Sequence, residues 1–315
     1  MAGITGMGTT YNLPNFVGEL FETTPTDTPF LSAIGGLTGG KATTSTEFQW
    51  QTYDLRDATQ NVKTEGANAP TAEARVRTSA SNIVEIHQEA IDVSYTKQAA
   101  NGQYAGLNIA GANPVKDELA FQTNVMLKQI ARDIEYSFIK GSYQKPTDNT
   151  TARKTRGILE AIITNVITNA TPTALTEAMV LNLMQKVWDN GGIKESDTAT
   201  LMVNSTLKRA LSKIFVTDKN YREDTRNVGG VNLQTIETDF GKVNIMLNRN
   251  MPANQLLVTS LEMCSPVFLE IPGKGHLFVE ELAKIGASNR CQIYGEIGLE
   301  YGNEIAHGKI TNLTA

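Results

Sequence analysis

The sequence predicts an α+β protein, and three observations carry that assignment. Two strand-like segments flank a long polar stretch. One amphipathic helix of unusual length runs over about 113–141. From about residue 158 the pattern changes to alternating helices and short strands. In chain order this reads as an arm, a long polar-tipped hairpin, a spine helix, an α/β module and long terminal strands.

Residues 1–29 read as an extended arm. Gly3, Gly6, Gly8, Pro14, Pro25 and Pro29 punctuate it, and Thr fills the gaps. "NLPNFVGELFE" has room for one short helix. "TPFLSAIGG" reads as an anchor, with Phe30, Leu31 and Ile34 at helical spacing before a Gly-Gly stop.

"TSTEFQWQTYDL" alternates, with Phe48 and Trp50 on one face and Glu47, Gln49 and Gln51 on the other, as in a strand. "NIVEIHQEAIDVSYT" is a second extended run. Between them, Arg56 to Ala80 holds no aromatic residue, and its only large aliphatics are Val62 and Val76. Fixing a residue's backbone costs about 1–2 kcal/mol, so a stretch with so little to bury does not order itself. The expectation is an elongated hairpin whose tip is either disordered or laid on another molecule.

The strongest helix starts at "NPVKDELAFQTNVMLKQIARDIEYSFIKG". Asn113 suits the N-cap and Pro114 the first helical position, while Asp117 and Glu118 suit the positive end. Met126, Ile130, Ile134 and Phe138 recur every four residues, Leu119 and Leu127 form an adjoining stripe, and Gly141 stops the helix. Further on, Val180, Leu183, Met184, Val187 and Trp188 mark an amphipathic helix. "ATLMVN" is a short buried strand, and "STLKRALSKIF" a second amphipathic helix. "VNLQTIET", "KVNIMLN", "QLLVTS" and "PVFLEI" are short strands. The end of the chain predicts two long strands joined at "GASN", then a final short one.

Composition narrows the function. Hydrophobic residues make up 40% of the chain, enough for a real core. Charged residues make up 19%, below the usual quarter, which suits a surface covered by partners. The net charge is −5, and no Lys or Arg precedes Lys41, so the N-terminus is no basic arm for nucleic acid. No apolar run approaches the roughly eighteen residues of a membrane span, and no signal peptide is apparent. Cys264 and Cys291 lack a CxxC partner and are expected as buried free thiols.

Candidate chemistry is sparse. "GGLTGGKA" matches a phosphate loop in its glycines and Lys41, but Ala42 replaces the hydroxyl residue that holds Mg²⁺ and no convincing helix follows; it reads as a hinge into the hairpin. "PGKG" reads as a tight turn. His87, His276 and His307 lack metal-ligand spacing. Glu280 and Glu281 are adjacent, hence on opposite strand faces, which is wrong for a shared carboxylate site. No nucleophile elbow is present. The expectation is no enzyme, no metal and no cofactor. In "SKIFVTDKNYREDTRN", Lys219, Arg222, Glu223, Asp224 and Arg226 mix signs. This is either a solvated loop or one that meets copies of itself around a symmetry axis, where paired charges fix register.

The order of elements, with "TPFLSAIG", "EFQWQTYDLRDA…EGANAP", "RDIEYSFIKG…RKTRGIL", "ETDFGKVNIMLNR" and "LAKIGASNRCQIYGEIGLEYGNEIAHGKI", resembles the major capsid (major head) proteins of tailed bacteriophages with the Hong Kong 97-type fold. The resemblance covers nearly the whole chain. It implies an arm and anchor over 1–41, an extension loop over 42–96 and a peripheral domain over 97–157. An axial domain then spans 158–270, and 271–315 returns as long strands. In the extension loop, Arg56, Asp57, Val62, Lys63, Glu65, Arg75, Val76 and Arg77 become inter-subunit contacts; Lys219 to Arg226 become an axial-domain tip. The implied function is an icosahedral head of pentamers and hexamers, made in the host bacterial cytoplasm and enclosing double-stranded DNA without sequence specificity. Scaffolding, portal and decoration proteins are implied partners, and no membrane is. The short start implies a separate scaffold or an earlier processing step. Lys63 near the loop tip does not by itself assign the covalent Lys–Asn crosslink of some relatives. Two alternatives stay open: an encapsulin-like shell, and a soluble α/β enzyme with 56–80 as a lid.

Overall fold

The computed structural model describes residues 22–99, 117–193, 199–217 and 235–314. The tip residues Lys219, Arg222, Glu223, Asp224 and Arg226 lie outside these, as do Asn113, Pro114 and most of the arm.

Helix α1 (Pro29–Ala33) opens the described chain, with proline in its first turn and Phe30 and Leu31 fully buried. The glycine stretch that follows packs tightly. At Gly40 (φ +110°) a Cβ would fall 2.3 Å from the Pro266 carbonyl oxygen, so only glycine fits there. The chain then enters β1 (Lys41–Thr43), which runs parallel to β10, and Lys41 Nζ pairs with Glu300 at 2.7 Å. A strand follows this lysine, which is the hinge geometry and not that of a phosphate loop.

β2 (Glu47–Tyr53) and β3 (Arg77–Ile83) pair antiparallel from Glu47↔Ile83 out to Tyr53↔Arg77. This corrects the expected hairpin. Its return strand is Arg77–Ile83, and the chain then passes into a different sheet as β4 (Glu85–Ser94), which pairs with β12 over ten residues. Both segments carry strand character, but alternation does not say which strand is the partner.

α2 (Tyr95–Ala99) is short. The spine helix α3 (Glu118–Lys140) has 23 residues, about 34 Å at 1.5 Å per residue. Its N-cap is Asp117, whose carboxylate accepts from the Leu119 and Ala120 amides, so Asn113 is not the cap. The inward stripe is as expected, with Ile130, Ile134 and Phe138 buried. α4 (Ile158–Ala161) leads into β5 (Val166–Ala174), a strand not anticipated from sequence. α5 (Glu177–Asp189) is capped by Thr176 and buries Val180, Leu183, Met184 and Val187; Trp188, expected on that stripe, is instead half exposed against Phe240. β6 (Ala199–Val203) is buried throughout, and α6 (Ser205–Ser212) is capped by Asn204.

β7 (Thr235–Thr238), β8 (Gly241–Leu247), β9 (Leu256–Thr259) and β10 (Ser265–Leu269) follow. "PGKG" is the expected tight turn, with the Lys274 and Gly275 amides returning to the Ile271 carbonyl. β11 (Leu277–Glu281) is only five residues, shorter than expected, because regular pairing stops before the turn into β12 (Ser288–Glu300); β13 (Gly308–Thr314) ends the chain.

These strands form two main sheets. One has the order β1-β10-β12-β11, with β4 on β12; the other runs β5-β13-β9-β6-β8-β7. The first packs on α1, α3 and α4, and the second carries α5 and α6 on one face. Met202 and Leu257, on the opposite face of the second sheet, join the core around α3. The two cores therefore share one sheet as a common wall. Cys264 and Cys291 are free and buried, as expected.

Candidate functional site

The hairpin β2–β3 forms a third sheet of its own. A two-stranded ribbon is marginal in water, and this one is held at its base. Phe48 packs with Val84 and Val267. Trp50 donates from Nε1 to the Gly302 carbonyl at 2.5 Å and meets Tyr301 edge-on, with ring centroids 4.9 Å apart.

The base is also tied by a saturated amide. Asn82 is fully buried, and its Nδ2 donates to the carbonyls of Leu299 (2.7 Å) and Arg156 (3.1 Å). Its Oδ1 accepts from the amides of Ile83 and Arg156, both at 2.9 Å. One side chain thus joins β3, β12 and the 155–156 segment.

Next to it, Glu85 accepts from the Thr155 amide at 3.0 Å and lies 2.9 Å from His87 Nε2, without hydrogen-bond alignment. Burial alone pushes the Glu85 carboxyl upward, but His87, Ser137 and the Thr155 amide outweigh it and hold the group below its usual range. On the other face of β12, Glu296 accepts from Arg153 (2.6 Å) and Tyr294 (2.8 Å).

Beyond Tyr53 the character reverses. Every residue from Tyr53 to Ser79 is exposed. Val62 is 71% exposed and Val76 77%, values that belong to apolar side chains lacking a partner. Among the described residues, hydrogen bonds and ion pairs of 54–76 stay within the segment. Arg56 donates to the Asp57 carbonyl and Thr59, and Arg75 pairs with Glu73. Arg77 bonds Gln51 across the ribbon at 2.9 Å.

Of the extension-loop residues singled out from sequence, Arg56, Asp57, Arg75 and Val76 come together around a shallow recess of ≈ 370 Å³ at the neck. Val62, Lys63 and Glu65 lie further out, beside a turn at Gly66 (φ +76°). Sequence reasoning did not single out Asn82, Thr155 or Arg156, which fix the base. Their only local signal is a polar residue interrupting an apolar run.

Among the described residues, no three His, Cys, Asp or Glu side chains are placed to hold a metal ion, and no helix is long and apolar enough to cross a membrane. His307 is a core residue. Nε2–H donates to the Tyr301 carbonyl and Nδ1 accepts from Thr259, both at 2.8 Å, and burial pushes its pKa down. His276 meets the Phe268 ring at a tilt, with centroids 5.1 Å apart, and Glu280 is paired with Lys274.

A sequence-family model described as SU10 major capsid protein matches residues 3–314. No curated protein sequence matches the chain. Among solved structures, the capsid asymmetric unit of cyanophage A-1(L) superposes with a TM-score of 0.69 at 12% identity, over 97% of this chain and 98% of that one. The capsid of the native GTA particle gives 0.66 at 12% identity, over 99% and 100%. The SrpI encapsulin of Synechococcus elongatus gives 0.59 at 12% identity, over 96% and 92%.

Proposed function

Because the chain belongs to the SU10 major capsid protein family, we propose that it forms the pentamers and hexamers of an icosahedral phage head around double-stranded DNA. Its fold is the Hong Kong 97-type capsid fold, and its role is structural. In place of the expected boundary at residue 270 we divide the chain by sheet: the five-stranded sheet, which takes in β10, and the spine helix make a peripheral domain, and the six-stranded sheet, which takes in β13, an axial one. Lys219, Arg222, Glu223, Asp224 and Arg226, outside the described residues, would form the axial tip. Scaffolding, portal and decoration proteins would complete the head, and synthesis would take place in the host bacterial cytoplasm.

The observation that carries this reading is the contrast within one hairpin. Its base is clamped by Phe48, Trp50 and Asn82, while 54–76 extend fully exposed. A rigid base aiming an apolar-poor tip away from its own core suits a segment that gains its order from a neighbouring copy. Obligate interfaces of roughly 2,000 Å² or more are reachable by such reach, without a greasy patch on the free subunit. Many weak contacts then close a shell whose subunits still correct errors.

The likeness to an encapsulin keeps a compartment shell as a second reading, and the family match over 3–314 favours the phage head. Electron microscopy of the purified protein tests both. Closed shells or capsomer rings are expected, with DNA in shells from infected cells. Protein-filled shells of compartment type would select the second reading, and monomers alone would overturn both. Replacing 54–76 by Asn-Gly, which joins the facing pair Tyr53 and Arg77 in a two-residue turn, should leave a folded subunit that does not assemble.

A further inference from the structure

We infer that the free edge of β4 is a contact between two copies of this chain, in which the strand pairs antiparallel with itself across a two-fold axis. The contact does not involve residues 54–76, and it joins one ring of subunits to the next rather than neighbours within a ring. It rests on the reading above only for the shell in which rings meet.

β4 closes one side of the five-stranded sheet, because β10 and β11 pair with the opposite edge of its partner β12. The Tyr95 amide bonds the Ala287 carbonyl, one residue beyond the ladder. Bonded pairs recur at every second residue of an antiparallel ladder, so Val93, Ile91, Glu89, His87 and Glu85 turn their backbone groups to β12. Ile86, Gln88, Ala90 and Asp92 turn theirs outward, and among the described residues those groups have no partner. Towards α3 the approach is open, through a cleft of ≈ 680 Å³ lined by Ala90, Asp92, Ser94, Gln122 and Met126.

A free edge invites pairing with another chain, and proteins blunt the edges they keep single. The other edges of the two main sheets are blunted in this way. β1, β7 and β11 have only three, four and five residues. β5 has nine, but it carries Pro172, and its register on β13 shifts between Thr311 and Leu313. β4 has ten residues without proline, glycine or lysine, and its register on β12 runs unbroken from Ser94 to Glu85. The longest edge is the one left able to pair.

The occupant that fits this edge is the same strand of a second copy. With Ala90 on the axis, Gln88 faces Asp92 of the other copy and Ile86 faces Ser94, so every outward position is used. Between them, Glu89 meets Ile91 and His87 meets Val93. No like charges stand opposite each other in this register. An axis at Glu89 would set that carboxylate against its own copy, and an axis at Asp92 would do the same there. Across a two-fold axis each contact occurs twice, so one strand supplies both halves of the interface. The two five-stranded sheets then become one continuous sheet, with main-chain hydrogen bonds supplying the affinity.

Cysteine substitution tests this in assembled particles of the full chain, where Cys264 and Cys291 are buried and do not compete. Hydrogen-bonded partners in an antiparallel pair have Cα atoms about 5.5 Å apart, within disulfide reach. Oxidised Ala90→Cys particles should therefore give a band at twice the 34.2 kDa of the chain on a non-reducing gel. Gln88→Cys alone should give none, since an offset of four residues sets its two copies about 14 Å apart. Mixed with Asp92→Cys subunits, it should link. Absence of the Ala90→Cys dimer, or equal linking at every position, overturns the inference and leaves the shell reading standing. A wild-type chain that forms no shell overturns both. Ala90→Pro removes only an outward N–H, which an edge strand tolerates, so the subunit should fold normally while particle yield falls about tenfold; unchanged yield would also overturn the inference.

Discussion

Glu135 Oε2 accepts a hydrogen bond from the Leu31 peptide N–H at 2.6 Å, joining the spine helix to the chain's first described helix. The other carboxylate oxygen accepts from the Phe30 amide at 3.0 Å and from Asn248 Nδ2. One buried side chain thus ties together the end of the N-terminal arm, the spine helix and the end of a strand from the six-stranded sheet. Outside it, Asp27 receives Arg249 Nε at 2.9 Å, a hydrogen bond that holds the Asp27 carboxyl below its usual range, and Glu22 pairs with Lys128 at 3.0 Å. Only the Glu135 contact is dry enough for its loss to weigh heavily.

Glu135→Ala should therefore be severely destabilising. It leaves three donors without an acceptor in the interior, each costing about 1–3 kcal/mol, and opens a cavity. Urea unfolding should show a loss of about 3 kcal/mol or more. Glu135→Gln keeps one acceptor oxygen and should fall between the two. A loss below 1 kcal/mol for the alanine variant would mean that the arm is held elsewhere.

The two buried glutamates should respond to pH with opposite signs. Burial raises the Glu135 pKa above its ordinary 4.5 despite the three donors, so the folded state holds its proton more tightly than the unfolded chain does. Its contribution is greatest at low pH and is lost as pH rises through the raised value. Glu85 is held below 4.5, so its contribution is present above 4.5 and is lost as pH falls through the lowered value. Measured by urea midpoint, the advantage of wild type over Glu135→Gln should shrink as pH rises above about 4.5. Its advantage over Glu85→Gln should shrink as pH falls below that. Parallel curves would refute the assignment of either group.

These two residues also mark where the sequence stops being legible. The spine helix is readable because Met126, Ile130, Ile134 and Phe138 repeat every four positions. Glu135 sits beside that stripe as an ordinary helix-forming polar residue, and nothing local says that an amide pair from residue 30 will reach it. The strand character of Glu85–Ser94 is visible, but its partner Ser288–Ile297 lies about 200 residues away, and local alternation assigns the segment to the hairpin instead. Val166–Ala174 is not legible as a strand, because Asn, Thr and Pro172 read as loop. It is an edge strand, where polar side chains and a proline are tolerated, and its partner β13 supplies the order. The exposed projection was legible for the opposite reason, since a segment with two valines in twenty-five residues has no core to join.

The thiols give a simple readout of core integrity. Cys264 is buried, and that burial pushes its pKa up to about 12, while Cys291 lies in the same core. Since the thiolate is the reactive species, the folded subunit should react with a disulfide reagent orders of magnitude more slowly than the same chain in guanidinium. Rapid modification of the native subunit would show that the core around α3 opens locally.

The clamp at the hairpin base should fail at one glycine. Gly298 faces Val267 in the ladder, and a Cβ there would lie 2.7 Å from both the Ile83 carbonyl oxygen and Phe48 Cε1. Ile83 is backbone and cannot yield without shifting β3, and Phe48 is the ring that seats β2. Gly298→Ala should therefore displace the hairpin base at an overpacking cost of about 1–3 kcal/mol, leaving the six-stranded sheet and spine helix intact. The chain has two tryptophans, Trp50 and Trp188. In a Trp188→Phe background, Trp50 alone reports on the clamp. Its emission should move to longer wavelength as the bond to Gly302 and the Tyr301 contact loosen, while far-ultraviolet circular dichroism stays nearly constant. Particle yield should drop with it, because a projection that is no longer aimed meets its neighbour less often. An unchanged Trp50 spectrum with full assembly would show that the base tolerates displacement, and that the projection does not depend on being held rigidly at its root.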